Sequence, residues 1–228
     1  MSDAVLMIAV RAPVPGQTKT RLGHGIGMVA AARIYEGFLL DLGDRLVPQI
    51  RASGIDIAWT FSPPEADFEA ELQRLRIDTA DDVFVPQSGD SWAVRQDNLM
   101  RWAAQQGYAR SILIASDSPH LPASSVIDAF ELLETSDVVI GRVADGGYYL
   151  IGMCGFHDVL LTVPMSTAQA GDALVANAKS LGKTISEAEP TFDIDTIEEL
   201  GLLAAHLSPD GEPCPATWRR LQEYGLAG

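Results

Sequence analysis

The chain of 228 residues is short of positive charge, since it holds 16 Lys and Arg against 31 Asp and Glu, a formal net charge of −15. This balance argues against nucleic acid as a partner, because proteins hold phosphate backbones with surplus Lys and Arg. It also makes a local cluster of cations informative. Near the N-terminus three cations, Arg11, Lys19 and Arg21, follow one another without an acidic residue among them.

Cysteines and long apolar runs are also scarce. The two cysteines, Cys154 and Cys214, match no metal-binding or redox spacing and indicate reduced thiols. The apolar runs fall far short of the roughly 20 residues that a membrane-spanning helix needs. The first three residues lack the basic region of a signal peptide. We therefore expect a cytoplasmic protein without a membrane span.

Short apolar runs alternate with helical patterns along the chain. The runs predict inner strands of a largely parallel sheet at residues 4–10, 55–61, 111–115 and 137–141. The patterns predict helices at about 27–47, 65–76, 91–106, 123–133, 168–181 and 195–206. Such alternation implies βαβ units with helices on both faces of the sheet. We expect a single α/β domain over residues 1–228, an α/β/α sandwich with a mostly parallel sheet, and the tail 207–228 packed on it.

The cationic cluster lies in a loop, "RAPVPGQTKTRLG", directly after the first predicted strand. It is not a Walker A loop, because Thr18 rather than glycine precedes Lys19, and the glycines that follow do not complete a dinucleotide fingerprint. Open α/β sheets nevertheless bind ligands at the carboxyl ends of their strands. Backbone amides around Gly16, with Lys19 and Arg21, are suited to a nucleoside phosphate. The alternative is a proline-stiffened loop with incidental charges.

Two acidic motifs are candidates for a divalent-metal site. Asp117 directly follows a predicted strand in "LIASDSPHLP", and Asp193 and Asp195 share one face of "FDIDT" if that stretch is extended. Two carboxylates about 4 Å apart repel each other by roughly 4 kcal/mol at an effective dielectric constant of about 20. A divalent ion shared with Asp117 would turn this repulsion into binding, and Mg²⁺ takes such oxygen ligands. Alternatively, Asp117 is a turn residue and Asp195 caps the following helix.

Two further patterns admit a functional and a structural interpretation. In "ADGGYYLIG" the adjacent Gly146 and Gly147 allow close backbone approaches, and with Asp145 they could form a wall that binds an acceptor. The alternative is a glycine-rich turn that leads into a buried strand. Ser118 and His120 suggest a hydrolase pair, but they are neighbours on one turn rather than a triad assembled in space, and no G-x-S-x-G elbow is present.

Four of these motifs together resemble those of a known family. The stretches "RAPVPGQTKTRL", "IASDSPHLP", "DGGYYLIG" and "FDIDTIEEL" occur in the order and spacing of a bacterial family of glycosyltransferase-A-like proteins. That family is similar to the nucleotidyltransferases that make activated sugars and to the molybdenum cofactor and 2-phospholactate guanylyltransferases. The resemblance covers residues 4–205 and implies a nucleotide-diphospho-sugar transferase (GT-A-like) fold.

The resemblance also implies which residues bind the nucleotide and the metal. The first loop would wrap the nucleotide phosphates through Arg11, Lys19 and Arg21. Asp117 matches the family's metal-binding acid, and Asp195 falls where related nucleotidyltransferases place a second metal ligand, with Asp193 as the alternative.

The acceptor side is the part in which the chain departs from the family pattern. Asp145, Gly146 and Gly147 fall at this side of the site. Arg142 stands where the family usually has proline, and Met165 stands where it usually has tryptophan. These departures bear on the acceptor, for which Arg142 suggests more negative charge, and not on the nucleotide site.

Together these observations predict a transferase that depends on Mg²⁺ or Mn²⁺. It would move a nucleotidyl or glycosyl group from a nucleoside triphosphate or nucleotide-sugar to a small-molecule acceptor, with Lys19, Arg21 and Asp117 at the reacting centre. The alternative is a nucleotide-sensing protein that keeps the fold without turnover. The sequence leaves the base, the sugar and the acceptor open, and it is compatible with an oligomer.

Overall fold

The computed structural model describes residues 2–227. Within these residues the chain forms one sheet of seven strands and nine α-helices. The strands are β1 (Ala4–Arg11), β2 (Asp56–Ser62), β3 (Val83–Pro86), β4 (Arg110–Ala115), β5 (Val138–Val143), β6 (Tyr148–Cys154) and β7 (Ile185–Thr191). The helices are α1 (Thr20–Ile26), α2 (Met28–Asp41), α3 (Val47–Ala52), α4 (Phe68–Leu75), α5 (Trp92–Gln105), α6 (Ala123–Leu132), α7 (Ala170–Ser180), α8 (Ile197–Leu207) and α9 (Pro215–Glu223).

The strands are arranged in the order β3-β2-β1-β4-β6-β5-β7. Of these seven described strands, β6 alone runs antiparallel to its neighbours, β4 and β5. The register sets Arg11 opposite Ser62 and Ala9 opposite Ala115, so the carboxyl ends of β1, β2 and β4 meet at one edge. The mostly parallel α/β sheet that the sequence predicts is therefore confirmed.

Both faces of the sheet are covered, because the central strands are apolar on both sides. In β1 the alternate residues Leu6, Ile8 and Val10 join one core cluster, which includes apolar residues of α2, α6, α8 and α9. Val5 and Met7 join the other, with apolar residues of α5 and α7. A strand buried on both faces needs a continuous apolar run, which is what residues 4–10 supply. No helix within residues 2–227 has the length and apolar character to span a bilayer.

The helix predicted at about 27–47 begins where expected but continues to Ala52. α2, a π-helical segment over Leu42–Leu46 and α3 follow one another without a break, and α1 precedes them. Gly27, at φ 94°, separates α1 from α2. The edge strands β3 and β7 were not predicted, because their residues are mostly half-buried or exposed and form no apolar run.

The C-terminal helix α9 packs on α2 through a glycine and a buried carboxylate. A Cβ atom on Gly37 would lie only 2.9 Å from the Cα of Thr217, so the close approach depends on glycine. Asp41, 3% exposed, accepts hydrogen bonds from the backbone N–H groups of Ala216 at 2.9 Å and Thr217 at 2.8 Å. These contacts support our proposal that the chain is one domain that includes its tail.

A buried histidine ties the turn after β4 to the end of β7. The ring of His120 stacks on Phe192 at 4.1 Å between centroids, and its Nε2 lies 3.1 Å from Thr191 Oγ1. Burial, with smaller effects from His206 and Arg45, lowers the pKa of His120 from 6.5 to about 4. The ring is therefore neutral in the folded protein over most of the physiological range.

Replacement of Gly37 by alanine should destabilise the protein by about 1–3 kcal/mol, because the added methyl group overpacks the contact between α2 and α9. Gly201 is the matched control, since it lies exposed in α8 and a Cβ atom placed there would meet no heavy atom within 4 Å. Gly201→Ala should stabilise by about 0.5–1 kcal/mol through helix propensity. Urea unfolding measures both; equal effects of the two substitutions would contradict the packing described for α9.

The stability of the protein should fall as the pH drops from 6.5 towards 4, because the unfolded chain then protonates His120 while the folded protein resists it. The contribution is up to about 3 kcal/mol for a pKa shift of this size. In His120→Gln this part of the pH dependence should disappear, whereas it should remain in a control, His24→Gln, at an exposed position. Unfolding free energies from urea titrations at several pH values test this; an unchanged pH dependence in His120→Gln would contradict it.

Candidate functional site

A cavity of about 490 Å³ opens at the carboxyl-terminal edge of the sheet. Most of the residues that the sequence singles out line it. These are Arg11, Lys19, Arg21, Asp117, Asp145, Gly147, Asp193 and Asp195. Gly16 and Gly146 are not among the lining residues. The first loop, the two acidic motifs and part of the glycine-rich motif therefore share one cavity.

The centre of the site is the ammonium group of Lys19, whose side chain is only 5% exposed. Its Nζ forms an ion pair with Asp117 at 2.7 Å and donates hydrogen bonds to an oxygen of Asp195 at 2.9 Å and to the carbonyl of Ile194 at 2.7 Å. Arg21 lies 3.6 Å from the other oxygen of Asp195. The two carboxylates predicted to share a divalent ion are thus brought together, with an ammonium group between them.

The first loop folds back on itself and so positions Lys19 between Asp117 and Asp195. The hydroxyl of the buried Thr18 donates to the carbonyl of Ala12 at 2.5 Å, and the backbone N–H of Thr18 donates to the carbonyl of Val14 at 3.1 Å. Ala12 is in turn bonded to Ser62 at the end of β2. Lys19 then adopts a left-handed backbone conformation, φ 51° and ψ 44°, directly before α1. Non-glycine residues adopt it rarely, and it is common at functional sites.

The two acidic motifs are fastened to each other by their backbones. The N–H of Ile194 donates to the carbonyl of Asp117 at 3.0 Å, and the hydroxyl of Ser118 donates to the carbonyl of Phe192 at 2.7 Å. The cap of α8 is Thr196, in a capping box with Glu199, and not Asp195. The carboxylate of Asp195 is therefore free to face the cavity.

The same contacts do not assemble a hydrolase pair. Ser118 is bonded to the carbonyl of Phe192, while the ring of His120 is bonded to Thr191, and no hydrogen bond joins the serine to the histidine among the described residues. Both side chains hold the turn after β4 against the segment after β7. Their role in the structure is to position Asp117 and Asp195.

The electrostatics of the site follow from its buried charges. Burial alone would lower the pKa of Lys19, but Asp117 and Asp195 more than offset it, so this pKa is raised above its ordinary value. Burial would raise the pKa of Asp195, but Lys19 and Arg21 lower it overall. Asp193 has no such partner among the residues described, and burial together with the neighbouring carboxylates raises its pKa to about 6. The site therefore keeps Lys19 and Asp195 charged at neutral pH.

The glycine-rich motif, residues 144–152, forms a tight turn. Asp145 accepts a hydrogen bond from the N–H of Gly147 at 2.8 Å. Gly146 has φ 90° and packs so closely on the carbonyl of Ala168 that no side chain would fit. The need for glycine at this position is thus explained by the turn and the packing.

Arg142 does not contribute its charge to the cavity. Its guanidinium is paired with Asp172 at 3.0 Å and with Glu187 at 3.1 Å, and it is not among the lining residues. The suggestion that Arg142 marks an anionic acceptor is therefore not supported by its position. The arginine instead links β5 to β7 and α7.

A second wall of the cavity is formed by Gln87, Trp92, Arg95, Tyr148 and Met165. Tyr148 belongs to the motif "ADGGYYLIG" and Met165 is a departure from the family pattern, but the other three were not among the predicted site residues. The first three follow β3, a short strand without an apolar run, so no pattern in the sequence marks a strand end there. Tyr148 lies in the glycine-rich motif, where its hydroxyl donates to Gln96 at 2.9 Å.

The donor set fits a hard divalent cation that is also bound by its substrate. Asp117 and Asp195 supply carboxylate oxygens around a single point, and Mg²⁺ in phosphate-binding enzymes commonly takes only one or two protein carboxylates. Among residues 2–227 there is no group of three or more His, Cys, Asp or Glu side chains that could hold a metal by itself. The remaining ligands would therefore be phosphate oxygens and water.

The fold is that of the nucleotide-diphospho-sugar transferases. A crystal structure described as that of a "putative nucleotide-diphospho-sugar transferase" from Desulfovibrio desulfuricans G20 is 27% identical, with a TM-score of 0.89, covering 100% of this chain and 97% of that one. The fold is also found in CMP:2-keto-3-deoxy-manno-octonic acid synthetase complexed with CTP, which is 16% identical at a TM-score of 0.52 and covers 91% and 99% of the two chains. A cytidylyltransferase from Leptospira borgpetersenii is 12% identical at a TM-score of 0.50 over 98% and 95%.

No curated protein sequence matches the chain significantly. A family model matches residues 46–167, more than half of the chain, which includes β2 to β6 and Asp117. The chain belongs to this family, DUF2064, described as an uncharacterised protein conserved in bacteria.

Proposed function

We propose that this protein transfers a nucleotidyl or glycosyl group from a nucleoside triphosphate or nucleotide-sugar to a small-molecule acceptor. The observation that carries the proposal is the buried ammonium of Lys19 between Asp117 and Asp195, in a cavity at the carboxyl ends of the strands. Sheets of this kind bind their ligands at that edge. The similarity to a protein described as a nucleotide-diphospho-sugar transferase supports the same class of reaction.

Lys19 is the residue through which the site would respond to a nucleotide. Three oxygen atoms already surround its ammonium group: it donates hydrogen bonds to Asp195 and to the carbonyl of Ile194, and it forms an ion pair with Asp117 at 2.7 Å. A phosphate oxygen can therefore be bound by Lys19 only if one of these acceptors is given up. We infer that Lys19 exchanges a carboxylate partner for phosphate when the nucleotide enters.

Asp117 and Asp195 would then hold Mg²⁺ or Mn²⁺ as the second charged component of the site. Such an ion neutralises the charge that builds up on phosphate oxygens and on a departing pyrophosphate or nucleoside diphosphate. Arg21, 69% exposed, and Arg11 are placed at the cavity to add bidentate contacts to phosphate. Lys19 adds a compact charge to the same group.

The acceptor differs between the two versions of the reaction. In nucleotidyl transfer an acceptor phosphate attacks the α-phosphorus and needs no general base. In glycosyl transfer a hydroxyl group attacks the sugar and benefits from one. Asp145 lines the cavity on the acceptor side and is our candidate for that base.

Binding of a nucleotide should stabilise the protein in a metal-dependent way. At a free ligand concentration 100 times the dissociation constant, the gain is about 2.7 kcal/mol. Thermal unfolding with each nucleoside triphosphate and common nucleotide-sugars, with Mg²⁺, Mn²⁺ or EDTA, measures it. Asp117→Asn should abolish the metal-dependent part, whereas Asp128→Asn, an exposed carboxylate on α6, should not.

Absence of any shift with every nucleotide would contradict the proposed donor. If a nucleotide binds, release of pyrophosphate or nucleoside diphosphate in the presence of a panel of phosphorylated and hydroxyl acceptors separates a transferase from a nucleotide sensor. Binding without turnover on any acceptor would favour the sensor.

Lys19→Met should destabilise the protein in EDTA by about 1–3 kcal/mol, because Asp117 and Asp195 then have no cation between them and only Arg21, 3.6 Å from Asp195, remains nearby. The figure is below that for a fully buried pair, since the two carboxylates are 31% and 37% exposed. Mn²⁺ can take the place of the ammonium group, so it should stabilise Lys19→Met more than it stabilises the unaltered protein. Thermal unfolding with and without Mn²⁺ tests this, and equal stabilisation of the two proteins would contradict it.

A further inference from the structure

Two arginines at the cavity have no acidic partner among residues 2–227. Lys19 and Arg21, which also line the cavity, form ion pairs with carboxylates. Within the described residues Arg11 and Arg95 are the cavity-lining cations outside any such ion pair. In a chain with 31 acidic and 16 basic residues, unpaired guanidinium groups at a cavity are notable. Arg11 belongs to the first loop, but Arg95 lies on a different element and is not explained by the nucleotide site.

The backbone before α5 fixes the position of Arg95. Its Nε donates a hydrogen bond to the carbonyl of Gly89 at 2.9 Å. Gly89 has φ 129°, and a Cβ there would lie 2.7 Å from a methyl group of Val94, so this turn requires glycine. Ser91 caps the helix by accepting from the N–H of Val94 at 3.3 Å. The anchored Nε leaves both terminal amino groups of Arg95 without a protein acceptor in the described part of the chain.

The surroundings of Arg95 differ from those of Lys19. Its wall of the cavity carries the large side chains of Trp92, Tyr148 and Met165. Gln96, next to Arg95 on α5, accepts from the hydroxyl of Tyr148 at 2.9 Å, which ties this wall to the glycine-rich motif of the acceptor side. Lys19, by contrast, lies among carboxylates. The cavity therefore offers, besides the first loop, an unpaired guanidinium group of α5 among aromatic and apolar lining residues.

We propose that Arg95 binds the anionic group, a phosphate or a carboxylate, of the acceptor. Two terminal amino groups in one plane match the two oxygens of either group. Trp92 and Tyr148 would contact the body of the same molecule. The proposal rests on the transferase function above and narrows it, because it makes the acceptor an anionic small molecule held by an arginine of α5 rather than by the first loop.

Inorganic phosphate is the simplest probe for this subsite. It is titrated calorimetrically into protein saturated with Mg²⁺ and the α,β-methylene analogue of the triphosphate that stabilises the protein most, so that the nucleotide site is filled. Arg95→Gln should weaken phosphate binding at least tenfold, since a charged hydrogen-bonding group is lost. Arg219→Gln, at an exposed arginine of α9 away from the cavity, should stay within twofold of the unaltered protein.

Measurement of nucleotide affinity shows whether Arg95 binds a phosphate of the nucleotide or the anionic group of the acceptor. Arg95→Gln should leave the affinity for the triphosphate analogue within twofold, whereas Arg11→Gln should weaken it. An equal loss of nucleotide and phosphate affinity in Arg95→Gln would assign Arg95 to the nucleotide and overturn the proposal. So would unchanged phosphate binding, or no binding of phosphate to the unaltered protein at about 20 mM, roughly the weakest affinity a built subsite should show.

Failure of the proposed transferase function can be distinguished from failure of the anion subsite in the same titrations. If no nucleotide binds, the phosphate titrations are carried out without the analogue. A tenfold loss confined to Arg95→Gln would then support the anion subsite although the nucleotide donor had been disproved.

Discussion

The structure of the site depends on one buried ammonium group between two carboxylates. A lysine side chain that is 5% exposed is stable only if its charge is compensated, and Asp117 and Asp195 come from distant parts of the chain to do so. The first loop must therefore fold back, and the turns after β4 and β7 must lie side by side. The hydrogen bonds of Thr18, Ser118 and Ile194 serve this arrangement. In the same geometry, two carboxylates meet at a point that a divalent cation could occupy.

Much of the fold and the centre of the site could be predicted from the sequence. A strand buried on both faces is visible in the sequence as a continuous apolar run. Arg11 directly follows the run at residues 4–10, and Asp117 lies two residues beyond the run at 111–115. Polar residues at the carboxyl ends of parallel strands share one edge of the sheet, so their meeting follows from topology. The approach of Asp195 to Asp117 did not follow from this topology, because β7, the strand before Asp195, was not predicted. It was expected from the resemblance to nucleotidyltransferases, which place a second metal ligand at the position of Asp195.

The part of the second wall that follows β3 could not be predicted, for a physical reason. Edge strand β3 is short and partly exposed, so the sequence around Gln87 and Arg95 has no periodicity that marks a strand end. The contacts of Lys19 with Asp117, Asp195 and the carbonyl of Ile194 could not be predicted from the sequence either, because they depend on a left-handed backbone at Lys19 and on a backbone carbonyl group. Arg142 misled for the opposite reason: its charge was visible, but its partners Asp172 and Glu187 were not.

The ammonium of Lys19 must exchange a partner if this site binds a nucleotide, and a crystal structure with Mn²⁺ and a non-hydrolysable triphosphate tests this most directly. The anomalous signal of manganese locates the ion independently of any activity. We expect the ion between Asp117 and Asp195, and the Nζ of Lys19 moved from at least one carboxylate to a phosphate oxygen. A nucleotide bound with Lys19 still joined to Asp117, Asp195 and the carbonyl of Ile194, or an ion bound elsewhere, would contradict the proposed exchange.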